Sequence, residues 1–193
     1  MRLTHLGHAC LLVETGGARL LIDPGTMSAF DDVRDLDAVL VTHQHPDHVD
    51  MARLPALLAA NPSATLRSEG DFAAHDRFTI GGATVEAFGG LHAPVYGDVP
   101  GCTNTAYLID GLLHPGDAFV VPDRDVDILA VPVDGPWLKL SEAVEHIHRV
   151  GPRVAVPIHE AETTDPAKYT GMLSAFAPPG VVRVLPVGAE VSL

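Results

Sequence analysis

Residues 42–50 read THQHPDHVD: three histidines and two aspartates in nine residues, directly after the apolar run Ala38-Val39-Leu40-Val41. Pro46 argues against a helix here, because its ring clashes with the preceding turn and drives His45 toward an extended backbone. The segment should therefore leave a strand extended. In extended chain, side chains two apart share a face, so His43 and His45 stand together, whereas His48 has the opposite parity and neighbours Asp47. One strand face cannot present all four. With a turn after Pro46, His43 and His45 can grip one ion while Asp47 and His48 reach a second, provided that other segments complete both shells. A solvated polar loop would account for the polarity of the stretch but not for three histidines at this spacing.

The missing partners are expected at strand ends, where a rigid scaffold aims loop residues. His92 follows TVEAFGGL, Asp117 lies in LLHPGDAFV after a short apolar run, and His159 ends RVAVPI. With the cluster they make five histidines and two carboxylates, a nitrogen and oxygen set suited to Zn(II) and open to Mn(II) or Fe(II). Two divalent ions are the expected cofactors. The other histidines read differently. His146 and His148 lie about 200° apart on a helix at roughly 100° per residue, cannot chelate one ion together, and are expected at the surface. His75 is also read as a surface residue, and His114 as a turn residue, with a supporting contact to the site as the alternative.

Working outward, strands are expected at 1–6, 9–15, 18–23 and 37–41, with Gly16-Gly17 forming a hairpin between the second and third. Residues 50–61 suggest a short helix, tolerating Pro55 only in its first turn. Further strands are expected at 64–68, 77–80, 84–89, 104–110, 127–133 and 153–158. Helices follow at 141–150, with Ala143, Val144, Ile147 and Val150 on one face and Gly151-Pro152 as the stop, and at 164–176. Residues 181–185 and 189–193 close the chain as strands. Strand-rich halves, each followed by helix, point to two sheets with helices outside, a four-layer α/β sandwich.

A chain of 193 residues, 47% hydrophobic and 19% charged, is expected to form one domain over 1–193. No apolar run has the length of a bilayer span, and the first residues lack the pattern of an export signal, so the expectation is a cytoplasmic protein with no membrane partner. Cys10 and Cys102 are then expected as thiols. A net charge of −13 argues against nucleic acid, whose binding rests on lysine and arginine displacing counterions. It leaves room for a small-molecule substrate, even an anionic one, because bound divalent ions create local positive charge.

These residues resemble the metallo-β-lactamase superfamily. The resemblance runs through Asp23 in LLIDPG, the pattern H-x-H-x-D-H at His43, His45, Asp47 and His48, and then His92, Asp117 and His159 in order. The opening LTHLGHACLLVETGGARLLIDPG and the stretch NTAYLIDGLLHPGD are similar to the L-ascorbate-6-phosphate lactonase-like branch of metal-dependent hydrolases. The resemblance implies an αββα sandwich with the site at one edge between the sheets. It also implies that His43, His45 and His92 hold the first metal, that Asp47, His48 and His159 hold the second, and that Asp117 bridges them. Asp23 would steady the cluster from behind, a turn aspartate before Pro24 being the competing reading, and His8 of the GHA turn would line the site or serve the structure. Ala118 stands where relatives often carry a hydroxyl residue. The large insertion of nuclease members is absent, and no cysteine between 103 and 193 supplies the ligand of true β-lactamases. Relatives of this branch are often homo-oligomers, but nothing in these residues names an interface.

Such a site implies hydrolysis by a hydroxide formed on the metals, with Asp47 orienting it and passing a proton to the leaving group. Tyr96, Trp137 and Lys139 are the aromatic and cationic candidates for substrate contact. The expected substrate is a lactone or other ester of a small anionic metabolite. A small phosphodiester is the alternative, and a non-catalytic metal- or ligand-binding sensor is the alternative of another class.

Overall fold

The computed structural model describes residues 1–68, 70, 75–97 and 101–193; part of the loop that carries Tyr96 falls outside them. Strand β1 (Arg2–His5) pairs antiparallel with β2 (Leu11–Thr15), which pairs antiparallel with β3 (Ala18–Ile22). Gly16 and Gly17, with φ of 57° and 76°, take the left-handed pair of positions that a two-residue hairpin needs. Strands β4 (Ala38–Leu40) and β5 (Thr65–Arg67) continue this sheet in parallel, with α1 (Leu54–Ala60) between them in sequence. Strand β12 (Glu190–Ser192) adds to its far edge beside β1. The second sheet runs β11-β10-β9-β8-β7-β6. It comprises β6 (His75–Ile80), β7 (Ala83–Leu91), β8 (Thr103–Ile109), β9 (Leu112–His114), β10 (Ile128–Pro132) and β11 (Val154–Ile158).

The alternation of side chains along each strand builds the layers. Leu11 and Val13, Leu20 and Ile22, and Ala38 and Leu40 point inward, where they meet Val85, Ile109, Ile128, Ala130 and Val156 of the other sheet. Each large side chain buried there contributes about 1.5–3 kcal/mol relative to exposure. The intervening Leu12, Leu21 and Val39 face outward onto Phe30, Leu54 and Leu57, the last two from α1. On the far side, Leu129, Val131 and Ala155 meet Ala143 and Ile147 of α2 (Leu140–Val150) and Leu173 of α3 (Pro166–Phe176). The result is the four-layer αββα sandwich expected from the sequence. Among the described residues, no helix is long and apolar enough to cross a membrane.

Local signals set the helix ends. Pro55 occupies the first turn of α1, the position that the sequence required of it. The Glu142 carboxylate accepts the Lys139 N–H at 2.7 Å at the start of α2, and Gly151 ends that helix at φ 65°. Asp165 caps α3 by accepting the Lys168 N–H at 3.1 Å.

The expected strand at 181–185 does not form; a single parallel bridge joins Val182 to Ala155 of β11. Ala155 donates its N–H to Val181 and accepts from Arg183. The next outward-facing N–H on that edge would belong to Pro157, which has none, so the ladder stops. Leu112–His114, read only as a short apolar run, is strand β9 between β8 and β10.

Two histidine expectations are corrected. His114 is not a turn residue: fully buried, it donates from Nε2 to the Ala9 carbonyl at 2.8 Å and sets Nδ1 4.0 Å from Asp23 Oδ2, the supporting contact that was the alternative. His146 is not at the surface: it is buried in α2, with Nε2 2.7 Å from the Val120 carbonyl, whereas His148 is exposed. The tighter i,i+3 packing beside Ala143 and Ile147 carries His146 inward. His75 is exposed, as expected, with Nε2 3.1 Å from Glu86.

Burial, aided by the charge of Arg149, holds the His146 imidazole below its ordinary value. The folded chain therefore binds less proton there than the unfolded chain, and the contribution, complete above about pH 6.5, is lost as pH falls below it. Urea denaturation of the metal-free protein between pH 7 and 5 should show a stability slope steeper in the wild type than in His146→Gln, by up to about 1.4 kcal/mol per pH unit. Equal slopes would show that His146 does not titrate on unfolding.

Candidate metal centre

The strands of both sheets deliver their following residues to one edge of the sandwich. His43 to His48 follow β4, and Asp23 follows β3, while His92, Asp117 and His159 follow β7, β9 and β11. His8 comes from the turn between β1 and β2. Three of these, His8, Asp23 and His159, sit at left-handed φ of 53°, 48° and 62°. Asp and His tolerate that region better than most residues, yet each still costs roughly 1–2 kcal/mol. The strain is spent where the side chains must converge.

Asp23 organises the floor. Its fully buried carboxylate accepts the Thr42 N–H at 2.8 Å through Oδ1, and accepts both the Thr42 hydroxyl and His48 Nδ1 at 2.7 Å through Oδ2. The Thr42 hydroxyl, having given its proton to Asp23, accepts from His43 Nδ1 at 3.0 Å. With metal bound, both imidazoles would thus keep their proton on Nδ1 and offer Nε2 to the centre. His92 does the same by donating Nδ1–H to the Ala93 carbonyl at 2.6 Å. The backbone interlocks as well: a Cβ on Gly25 would lie 1.7 Å from the Asp47 carbonyl oxygen, so only glycine lets the Asp23-Pro24-Gly25 turn pass beneath the histidine loop.

Two groups of four side chains result. The ligand atoms of His43, His45, His92 and Asp117 all lie within 4.8 Å of one another, as do those of His8, Asp47, His48 and His159. Asp117 stands between the groups, 3.2 Å from His92 Nε2 on one side and 3.1 and 3.3 Å from the Nε2 atoms of His48 and His159 on the other. His45 is the exposed member; its Nδ1 faces His43 Nε2 at 3.0 Å, and its Nε2 lies 3.8 Å from Cys102 Sγ. Neither cysteine is in a disulfide.

The chemistry of this donor set fits divalent metal. The Nε2 atoms of His48, His92 and His159 and Oδ1 of Asp117 are buried with no hydrogen-bond partner among the described residues. Buried polar atoms left so are rare unless something else satisfies them. The electrostatics agree. Burial would raise the Asp117 carboxyl, but the surrounding imidazoles of His48, His159 and His92 hold it well below the usual range. Asp47 is likewise held low against its burial, by His159, His8 and His48. Burial and the charge of His48 push His43 down to about 3, leaving it neutral. Burial would lower His159 too, but Asp117 and Asp47 outweigh it and push it up to about 9. Ionised carboxylates inside a buried site call for positive charge, which protons or a divalent ion can supply.

Residues 2–159 match the family described as the beta-lactamase superfamily domain, a span that ends on His159 and includes every side chain just described. The chain belongs to the metallo-β-lactamase superfamily. Within this superfamily it is 44% identical to a protein of Mycobacterium tuberculosis, over 90% of this chain and 92% of the relative. It is 31% identical to a UPF0173 metal-dependent hydrolase of Methanoregula boonei, over 82% of each. The superfamily fold is shared with a metallo hydrolase of the archaeon Ignicoccus hospitalis, at TM-score 0.73, 21% identity and coverage of 98% and 97%. This superfamily member thus sits among metal-dependent hydrolases.

All seven residues expected to touch metal meet at this centre, with Asp23 behind them and His8 against Asp47. The expected substrate residues fare unevenly. Trp137 is buried against the site, its ring 5.6 Å from that of His92 and 5.9 Å from that of His159. Tyr96 is 80% exposed, and Lys139 is exposed at the start of α2. Thr42 escaped the sequence reading, although its place directly before His43 is the signal that could have found it. Asn104, whose Oδ1 accepts the Asp117 N–H at 3.1 Å, and Glu160 escaped as well.

Replacing Asp23 with Ala should weaken metal binding roughly 10–100-fold, because Asp23 orients His48 directly and His43 through Thr42. Competition against a chromophoric chelator would measure this, and wild-type affinity in the variant would refute the role.

Proposed function

We propose that the protein is a binuclear metal-dependent hydrolase acting on a lactone or other ester of a small metabolite. The observation that carries this is the pair of four-residue groups sharing one edge, with Asp117 between them and bare, buried Nε2 atoms turned inward. In this reading His43, His45 and His92 hold one ion, Asp47, His48 and His159 hold the other, and Asp117 serves both. Zinc is the first choice for such nitrogen and oxygen donors, with manganese or iron also suited. When bound, two such ions supply Lewis acidity, lowering the pKa of water and polarising the bond to be cleaved.

The chain's own residues do the rest. Asp47 is partly buried and kept ionised, so its carboxylate can accept a hydrogen bond from the attacking water and hand the proton to the leaving alkoxide. Trp137 walls the site against water beside His92 and His159. A shallow, open depression of about 550 Å³ is lined by Met27 and by chain neighbours of Trp137 and His159, namely Asp134, Gly135, Pro136, Ala161 and Glu162. Its edge is acidic, so an anionic part of the substrate would sit over the histidine floor and not beside Asp134 and Glu162. Location in the cytoplasm fits this reading.

Protein loaded in turn with zinc, manganese and iron should hydrolyse members of a panel of lactones and simple esters faster than bis-p-nitrophenyl phosphate. Turnover of the phosphodiester alone would move the assignment to a phosphodiesterase, and full metal occupancy with no turnover would favour a sensor. On the best substrate, Asp47→Ala should lower kcat by about 10²–10⁴-fold with the far-UV circular dichroism unchanged. Wild-type kcat in that variant would exclude Asp47 from the proton path.

A further inference from the structure

We propose that His8 is the positioning residue for Asp47, donating Nε2–H to Asp47 Oδ2 and fixing the carboxylate that serves the second ion without itself binding metal. This rests on the ligand assignment proposed above. His8 Nε2 lies 3.0 Å from Asp47 Oδ2, closer than the Nε2 atoms of His48 and His159, each at 3.5 Å. Those two rings need their lone pairs for metal, so neither can donate a proton to Asp47 in the loaded protein. Asp47 lies on a loop whose preceding residues, Gln44, His45 and Pro46, are all exposed. A carboxylate there needs a fixed donor to stay turned inward, and His8 is placed to be one.

The surroundings of His8 are built to hold it still. The residue is fully buried at the tip of a turn closed by Leu6 N–H to the Cys10 carbonyl and Cys10 N–H to the Gly7 carbonyl. Its own carbonyl accepts from His5 Nε2 at 2.9 Å and from the His159 N–H at 3.0 Å, while its N–H donates to Glu160 Oε1 at 3.1 Å. Its ring packs against that of His159 at a tilt of 49°, with centroids 3.9 Å apart. One turn therefore braces two ligands of the same ion, Asp47 through a side chain and His159 through the backbone.

The unpartnered nitrogen bears on the tautomer of His8. His8 Nδ1 is buried with no partner among the described residues. Were Nε2 to bind metal, Nδ1 would have to carry the proton and bury an orphan N–H; with Nε2 as donor, Nδ1 buries only a bare lone pair, the less costly of the two. His159, a ligand in the assignment above, has the same partnerless Nδ1, so the 3.0 Å approach of His8 Nε2 to Asp47, and not the free nitrogen, carries the assignment.

Long-range proton–nitrogen spectra of the ¹⁵N-labelled, zinc-loaded wild type should place the His8 proton on Nε2, and ¹¹³Cd substitution should give metal coupling to His48 and His159 but none to His8. His8→Leu should weaken the second ion roughly 10–100-fold and spare the first, while His8→Gln, which keeps a donor, should stay within about 3-fold of wild type. Metal coupling at His8, equal losses in Gln and Leu, or an unchanged second site in Leu would each overturn the inference. Should His8→Leu not fold, the wild-type spectra decide alone. A wild type that takes up fewer than two ions would instead bring down the ligand assignment, and the inference with it.

Discussion

A single buried carboxylate, that of Asp23, is the constraint on which the rest of the centre depends. An ionised group with no exposed surface is tolerable only if fully hydrogen-bonded, and Asp23 achieves this with a backbone N–H, a hydroxyl and an imidazole. Satisfying that one charge settles the tautomers of His43 and His48, the path of the chain from β4 into the histidine loop, and the need for glycine at position 25. The metal-facing geometry follows from a requirement of folding. The stability of the floor and the readiness of the site come from the same bonds.

Much of this was legible in the sequence because it is written in short-range patterns. Short apolar runs in LLVET, ARLLI and AVL mark strands buried on both faces, and the H-x-H-x-D-H stretch, with His92, Asp117 and His159 after apolar runs, marks the side chains that gather at the candidate metal centre. What was not legible depends on contacts distant in sequence. The role of Pro157 in stopping a neighbour at Ala155 needs the partner strand in view, and so does the burial of His114 under Ala9, 105 residues away. His146 looked like half of a surface pair because periodicity alone does not say how deeply α2 sinks between its neighbours. Residue type alone points to Tyr96 and Lys139, a weaker guide than position, whereas Trp137 has the site's histidines as neighbours.

The gathered side chains belong to different layers. The histidine loop and the His8 turn hang from the first sheet, while His92, Asp117 and His159 hang from the second. Any ion shared among them would staple the two sheets across the mouth of the sandwich. Binding free energy would then also be folding free energy, and loading would hold the two sheets together at that edge.

Pro157 has a bearing beyond the topology. Strand β11 is the last of its sheet, and an outer strand with a row of unpaired backbone groups is a template on which another molecule's chain can add. The missing N–H that ends the pairing of residues 181–183 at Ala155 leaves a stranger no better placed than the chain's own segment. That segment, in turn, already pairs with Ala155 on the same edge. A residue that spoils a local ladder thereby guards the margin of the sheet against its neighbours.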